Sequence, residues 1–219
     1  MITPLKIDFV SDVACPWCAV GLGALEQALD ELAGEISADL HFQPFELNPQ
    51  MPPGGQDLFE HLNQKYGSSR EQQAQMYQNI KTRGEAVGFA FHPTGRGRIF
   101  NTFDAHRLLH WAEVIGEPGA QRRLKKALLE AYQGRGEAIE SHEVLLNIVQ
   151  ALGMDVEAAR TVLNSDTFTQ EVRDKEHFYT SAGIHSVPAI IINDRHLISG
   201  GQPAQVFVQA LRDIASQAT

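Results

Sequence analysis

A chain of 219 residues with 43% hydrophobic and 21% charged residues is composed like a soluble globular protein, long enough for one large domain or one domain carrying a sizeable insertion. Its 18 basic and 27 acidic residues leave a net charge of −9, which argues against a general nucleic-acid or anionic-membrane surface. No window approaches about 18 uninterrupted apolar residues, so no membrane span is expected, and two cysteines are too few for a disulfide framework.

The first segment, MITPLKIDFV, lacks the charged start, long apolar core and small-residue cleavage site of a secretory signal, and a cytoplasmic address is expected. Within it, residues 5–10 read as a short buried strand with Asp8 as the one odd member. From Pro16 the pattern turns helical: Leu22, Leu25, Leu29 and Leu32 form one apolar stripe that ends near Gly34. Residues 38–47 alternate as a second strand, with an irregularity expected at Pro44. Strand, helix and strand in this order open a βαβ unit. Prolines and glycines in 48–56 then break regular structure.

Helices are expected over 57–66, 70–87, 102–115, 119–133, 141–152, 155–163 and 166–182. Asn101 or Thr102, Ser141 and Asp155 stand at cap positions, and Gly116, Gly134, Gly153 and Gly183 at ends. One irregular loop, FHPTGRGR at 91–98, interrupts the block. Strands over 188–192 and 195–199 flank Asn193-Asp194, residues suited to a two-residue hairpin turn, and a helix from Pro203 to Ala215 closes the chain. The order is that of an α/β thioredoxin-like fold with a large α-helical insertion. Residues 1–48 and 165–219 would form the thioredoxin-like domain in two parts, and 49–164 the inserted helical domain.

Both cysteines fall in SDVACPWCAVG, residues 11–21, after the first strand and at the start of a helix. Cys15 is expected at the N-cap, Pro16 at the first helical position and Cys18 at the third. A thiolate at an N-cap meets unpaired backbone N–H groups and the positive end of the helix dipole. Such settings lower a thiol pKa from about 8.5 to roughly 3.5–7.5. The spacing puts both sulfurs on one side of the first turn, within reach of a disulfide. Cys15 at the tip is therefore read as nucleophile, Cys18 as resolving thiol and Trp17 as an exposed apolar contact for substrate. Two structural cysteines are the bland alternative. A zinc half-site is another, but it needs two further ligands and no second Cys-x-x-Cys exists, so no metal is expected.

In GIHSVPAIIIN (183–193), Pro188 opens a strand and follows Val187. A cis bond there would turn the Val187 N–H and C=O outward, where they pair with an extended substrate backbone. CPWC and SVP, together with FQPFELNP (42–49), FNTFDAHRLLHWA (100–112) and ALLEAYQGRGEAIESHEVLLNIVQALGMD (127–155), resemble the DsbA family of thioredoxin-fold oxidoreductases, and more narrowly its FrnE-like branch, over nearly the whole chain. The resemblance implies Cys15 as nucleophile, Cys18 as resolving cysteine, Pro188 as the cis-proline facing them, and an insertion that covers the site. It also implies that Asp8 is the acid buried behind the second cysteine, assisting proton transfer from Cys18; the alternative is that strand alternation points Asp8 elsewhere or that it meets solvent. Ala19 departs from the pattern, since the family commonly has an aromatic residue there.

Asn101 and His106 invite a substrate-site reading beside Pro16, Trp17 and Val187; a helix cap followed by a packing histidine is the alternative. Arg96 and Arg98 in the glycine-rich loop read as solvated, with an anionic substrate such as glutathione as the other option. The function implied is thiol–disulfide oxidoreductase or isomerase, acting on a thiol- or disulfide-containing protein or small molecule. It needs no cofactor beyond the cysteine pair, with glutathione as a co-substrate, and no nucleic-acid or membrane partner is expected. The sequence carries no signal for oligomeric state. A glutathione-dependent isomerase or kappa-like transferase on the same fold is the alternative, although those relatives usually carry serine at the position of Cys15. A non-enzymatic zinc or chaperone-like binding module is the third reading.

Overall fold

A computed structural model describes residues 2–114 and 117–217; Gly116, expected at a helix end, lies outside the described residues. Strand β1 (Thr3–Ser11), helix α1 (Pro16–Glu31) and strand β2 (Ile36–Pro44) form the opening βαβ unit. The second strand stops at Pro44 instead of running to residue 47, because proline has no N–H to continue a ladder. The insertion follows with β3 (Gln56–Asp57), α2 (Leu58–Tyr66), α3 (Arg70–Ala86), β4 (Arg98–Ile99), α4 (Phe103–Val114) and α5 (Ala120–Leu129). A π-helical turn over Glu130–Gly134 extends α5, and α6 (His142–Ala151) and α7 (Val156–Leu163) complete the block. Then come α8 (Thr169–Ser181), β5 (Ala189–Ile192), β6 (His196–Ser199) and α9 (Ala204–Gln217). No helix among the described residues is long and apolar enough to cross a membrane.

The main sheet runs β2-β1-β5-β6, with β1 parallel to β2 and the other pairs antiparallel. Side chains alternate across a strand, so β1 serves two cores. Leu5, Ile7 and Phe9 face one way and pack with Leu25 of α1 and Phe207 and Leu211 of α9. Val10 faces the other way and packs with Tyr179 of α8, Ile184 and Ala189. The β5–β6 turn places Asn193 and Asp194 at φ 51° and 55°, the paired left-handed geometry of a tight hairpin.

Two features were not expected from sequence. Gln56 and Asp57 pair with Ile99 and Arg98 as a small antiparallel sheet, although Gln56 and Arg98 belong to the expected loops and Asp57 to the expected start of a helix. Arg96 and Arg98 are structural and not merely solvated: Arg96 donates to Gln133 Oε1 at 2.7 Å and covers the Tyr132 ring, and Arg98 donates to the Gly54 and Gly55 carbonyls at 2.9 and 3.0 Å.

Arg107 of α4 staples the insertion. Its buried guanidinium donates to the carbonyls of Val162, Ser165 and Thr167 around the α7–α8 connection and to Asp104. Arg107→Met leaves those carbonyls without their donor and is expected to lower stability by about 3 kcal/mol, read as a fall in the urea midpoint at unchanged slope.

Candidate active site

Pro16 starts α1 as expected, and Cys15 holds the N-cap position with an extended backbone. Local bonds bend the chain into the helix: the Cys15 N–H donates to the Asp12 carbonyl at 3.1 Å and the Cys18 N–H to the Cys15 carbonyl at 3.1 Å. Both cysteines are free thiols. The Cys15 side chain does not cap the helix; its thiol donates to the Val187 carbonyl at 3.4 Å. The Val187–Pro188 bond is cis. The proline ring lies directly on α1: a Cβ built on Gly21 would fall 2.9 Å from Pro188 Cγ, so only glycine admits this approach. Cysteine pair and proline loop thus share one small surface, Cys15 being 5% exposed at its edge and Cys18 wholly enclosed.

Their electrostatics differ accordingly. The Cys15 pKa lies below the ordinary thiol range, chiefly because the Cys18 thiol hydrogen-bonds to its sulfur; burial and the Asp12 charge oppose this, and the N–H groups of Cys18 and Trp17 assist it. The Cys18 pKa is pushed well up, first by burial and then by the neighbouring Cys15. One sulfur is thus prepared to ionise at the edge while the other holds its proton inside.

Trp17 is half-buried and not exposed as expected, with the Arg83 guanidinium 5.9 Å from its ring centroid. Arg83 also donates to the Gly201 carbonyl at 2.8 Å, tying α3 to the loop after β6. Asn101 caps α4, accepting the Phe103 N–H at 2.9 Å, and reaches Glu46 at 3.4 Å. His106 is buried, with Nε2 3.5 Å from Asp12 Oδ1.

Asp8 is not behind Cys18. Strand alternation puts it on the α8 face of the sheet, bonded to Lys6 at 3.0 Å and to Gln43 at 2.6 Å, whereas α1 covers the other face. The buried groups near the cysteines are Asp12 and Lys125, neither of which was singled out from sequence. Asp12 accepts the Ala14 N–H at 3.0 Å and the Leu47 N–H at 2.7 Å. Burial would raise its pKa, but His106 and those two N–H groups hold the carboxyl below its usual range. Gln133, in the π turn, donates to the Val13 carbonyl at 2.7 Å, so the insertion grips the turn that carries the cysteines.

His106 and His110, four residues apart on α4, have the spacing of a two-histidine metal site, a pair passed over in the sequence reading. They meet different partners: His106 faces Asp12, while His110 lies near Glu113 and against Phe168. Among the described residues no group of three or more His, Cys, Asp or Glu is placed to hold a metal ion.

A family profile for the DSBA-like thioredoxin domain matches residues 6–212. A probable DsbA oxidoreductase from Streptomyces coelicolor is 32% identical in its solved structure, with a TM-score of 0.89 over 98% of this chain and 91% of that one. The uncharacterized protein YwbO of Bacillus subtilis is 25% identical over 210 residues, 95% of this chain and 96% of its own. The cytosolic disulfide reductase DsbM of Pseudomonas aeruginosa, solved with GSH, shares the fold at 16% identity and a TM-score of 0.63, over 95% of this chain and 98% of that one.

Proposed function

From the premise that the chain belongs to the DSBA-like thioredoxin domain family, whose members are disulfide oxidoreductases and isomerases, we propose that it exchanges disulfides through Cys15 and Cys18. The observation that carries this reading is the division between Cys15, which keeps 5% exposure and has a lowered pKa, and a wholly enclosed Cys18 with a raised one. In the reducing direction the Cys15 thiolate attacks a substrate disulfide, forming a mixed disulfide and releasing one substrate sulfur as thiolate. Cys18, deprotonated, then attacks the Cys15 sulfur; the bond to substrate breaks and the second thiolate leaves. Oxidation of a dithiol is the same sequence reversed. No electrons leave the four sulfurs, so the step needs no further cofactor.

The substrate is a thiol or disulfide, carried by a protein or by a small molecule such as glutathione. The half-buried Trp17 and the Val187 carbonyl flank the place where it would sit. A cytoplasmic address belongs to this reading and is checked by cell fractionation. The FrnE-like branch is part of it as well.

The test is equilibration in a series of glutathione redox buffers, with the dithiol fraction read by thiol trapping. A single two-electron transition is expected. A midpoint near thioredoxin's value of about −270 mV identifies a reductant, and one near DsbA's, about −120 mV, an oxidant. Failure to form an intramolecular disulfide at any ratio overturns the proposal and favours glutathione-dependent transfer or isomerisation.

A further inference from the structure

Helix α5 and its π turn are fastened at both ends, to β2 and to the turn that carries the cysteines. Near the start, Gln121 accepts the Phe42 N–H at 2.9 Å and donates to the Phe42 carbonyl at 3.0 Å, which ties it to β2. At the far end, Gln133 donates to the Val13 carbonyl. Lys125 stands between them, one helical turn beyond Gln121 and on the same side. It is 0% exposed, and among the described residues its Nζ has no hydrogen-bond partner. A lysine head carries three donors when charged, and buried charges are ordinarily paired. A methionine of similar length would fill this space without that penalty, so packing alone does not account for the amine.

The ionisable groups whose charge reaches Lys125 are Cys18 and Cys15 at the start of α1 and Asp12 in the turn after β1. Asp12 is already held by two backbone N–H groups and faces His106. Cys18, by contrast, must lose a proton inside a closed core before it can attack. Creating a lone thiolate there is strongly unfavourable, because burial already pushes the Cys18 pKa up. Burial pushes Lys125 the other way, toward the neutral amine, while Cys18, Asp12 and Cys15 push back.

We propose that Lys125 is the counter-charge and general base for Cys18, its amine taking up the Cys18 proton when the resolving step begins. Before the step the pair is thiol and amine; at the step it is thiolate and ammonium, one proton having moved from sulfur to nitrogen. The thiolate then attacks Cys15 Sγ, the bond from Cys15 to the substrate sulfur breaks, and that sulfur leaves with the electron pair. The flexible four-carbon stem lets the head approach the sulfur as charge develops. Up to the attack the buried pair is neutral overall and no isolated anion is formed; once the disulfide has closed, the ammonium gives its proton to the departing thiolate and returns to the neutral amine. This role rests on the exchange chemistry proposed above.

The test uses Cys15→Ser, which leaves Cys18 as the only thiol, and follows thiolate absorbance against pH. Adding Lys125→Met is expected to raise the Cys18 midpoint by at least about one pH unit, a tenfold loss of thiolate at a given pH. In the presence of both cysteines, Lys125→Met is expected to slow resolution of a Cys15 mixed disulfide about tenfold while its formation is unchanged. Equal midpoints with and without Lys125 overturn the proposal. A second measurement needs no substitution: NMR of lysine-labelled native protein should show one lysine titrating below the others, with a midpoint that differs between dithiol and disulfide forms. All lysines titrating together in both forms overturns it as well. The titrations need no substrate, so an inactive exchange assay beside a shifted Cys18 midpoint would refute the exchange function and leave the Lys125–Cys18 linkage standing.

Discussion

Replacing Cys15 by serine is expected to reduce disulfide exchange to the uncatalysed background, a loss of more than about 10³-fold, while Cys18→Ser is expected to stop the reaction halfway. The two outcomes differ because the sulfurs occupy different places. Cys15 is the sulfur at the edge, beside the Val187 carbonyl, with a pKa drawn below the thiol range by the Cys18 thiol next to it. A serine there forms no disulfide, and nothing replaces it, since the other cysteine is fully enclosed. In Cys18→Ser the first attack still proceeds, and the mixed disulfide on Cys15 persists because no neighbouring thiol can displace it. The serine hydroxyl still donates to the Cys15 sulfur in that variant, so the upward shift of the Cys15 alkylation midpoint is expected of Cys18→Ala, which removes the donor. Mass spectrometry after mixing with oxidised glutathione checks both. Unchanged turnover in Cys15→Ser, or failure of Cys18→Ser to accumulate a glutathione adduct, would contradict the assignment.

The parts legible in the sequence are those governed by local rules. CPWC after an apolar run and before a leucine stripe needs only strand, cap and helix chemistry to be placed, and Asn193-Asp194 needs only turn chemistry. For Asp8 the resemblance and the strand phase disagree, and the phase decides. Counting alternately from Leu5, Ile7 and Phe9 sends Asp8 to the opposite face from α1. Lys125 was missed because RRLKKALL looks like a solvated basic run. The helical period held the signal: Gln121, Leu124, Lys125, Leu128 and Leu129 fall at i, i+3, i+4, i+7 and i+8, and all five are buried. Arg122, Arg123 and Lys126 fall outside that stripe. Gln133 was not legible at all, since the π turn that aims it at Val13 adds a register change no periodic template contains.

Asp12→Asn should move stability and reactivity in opposite directions. The carboxylate receives the Ala14 and Leu47 N–H groups on separate oxygens, with His106 beside it. An asparagine keeps one acceptor oxygen and turns an NH₂ toward the other N–H, leaving a buried donor unpaired. The expected loss is about 2–4 kcal/mol near neutral pH, read from urea unfolding. Its pH dependence has a definite sign. Because the folded carboxyl pKa lies below the unfolded value of about 3.9, the charge contributes fully above that value and its contribution is lost as pH falls through the folded pKa. The stability gap between native protein and Asp12→Asn should therefore be widest above about pH 5 and narrow in acid. At Cys15 the same carboxylate acts as a neighbouring negative charge that raises the thiol pKa. Removing it should shift the Cys15 alkylation midpoint to lower pH, giving a more reactive nucleophile in a less stable protein. Lys125 would lose one of the three groups that favour its charged form, and its own midpoint should fall as well. A variant in which stability and the Cys15 midpoint both stay at the native values would show that Asp12 neither holds the turn nor acts on the sulfur. The two shifts share one cause: a single buried charge braces the loop that carries the nucleophile and restrains the ionisation of that nucleophile.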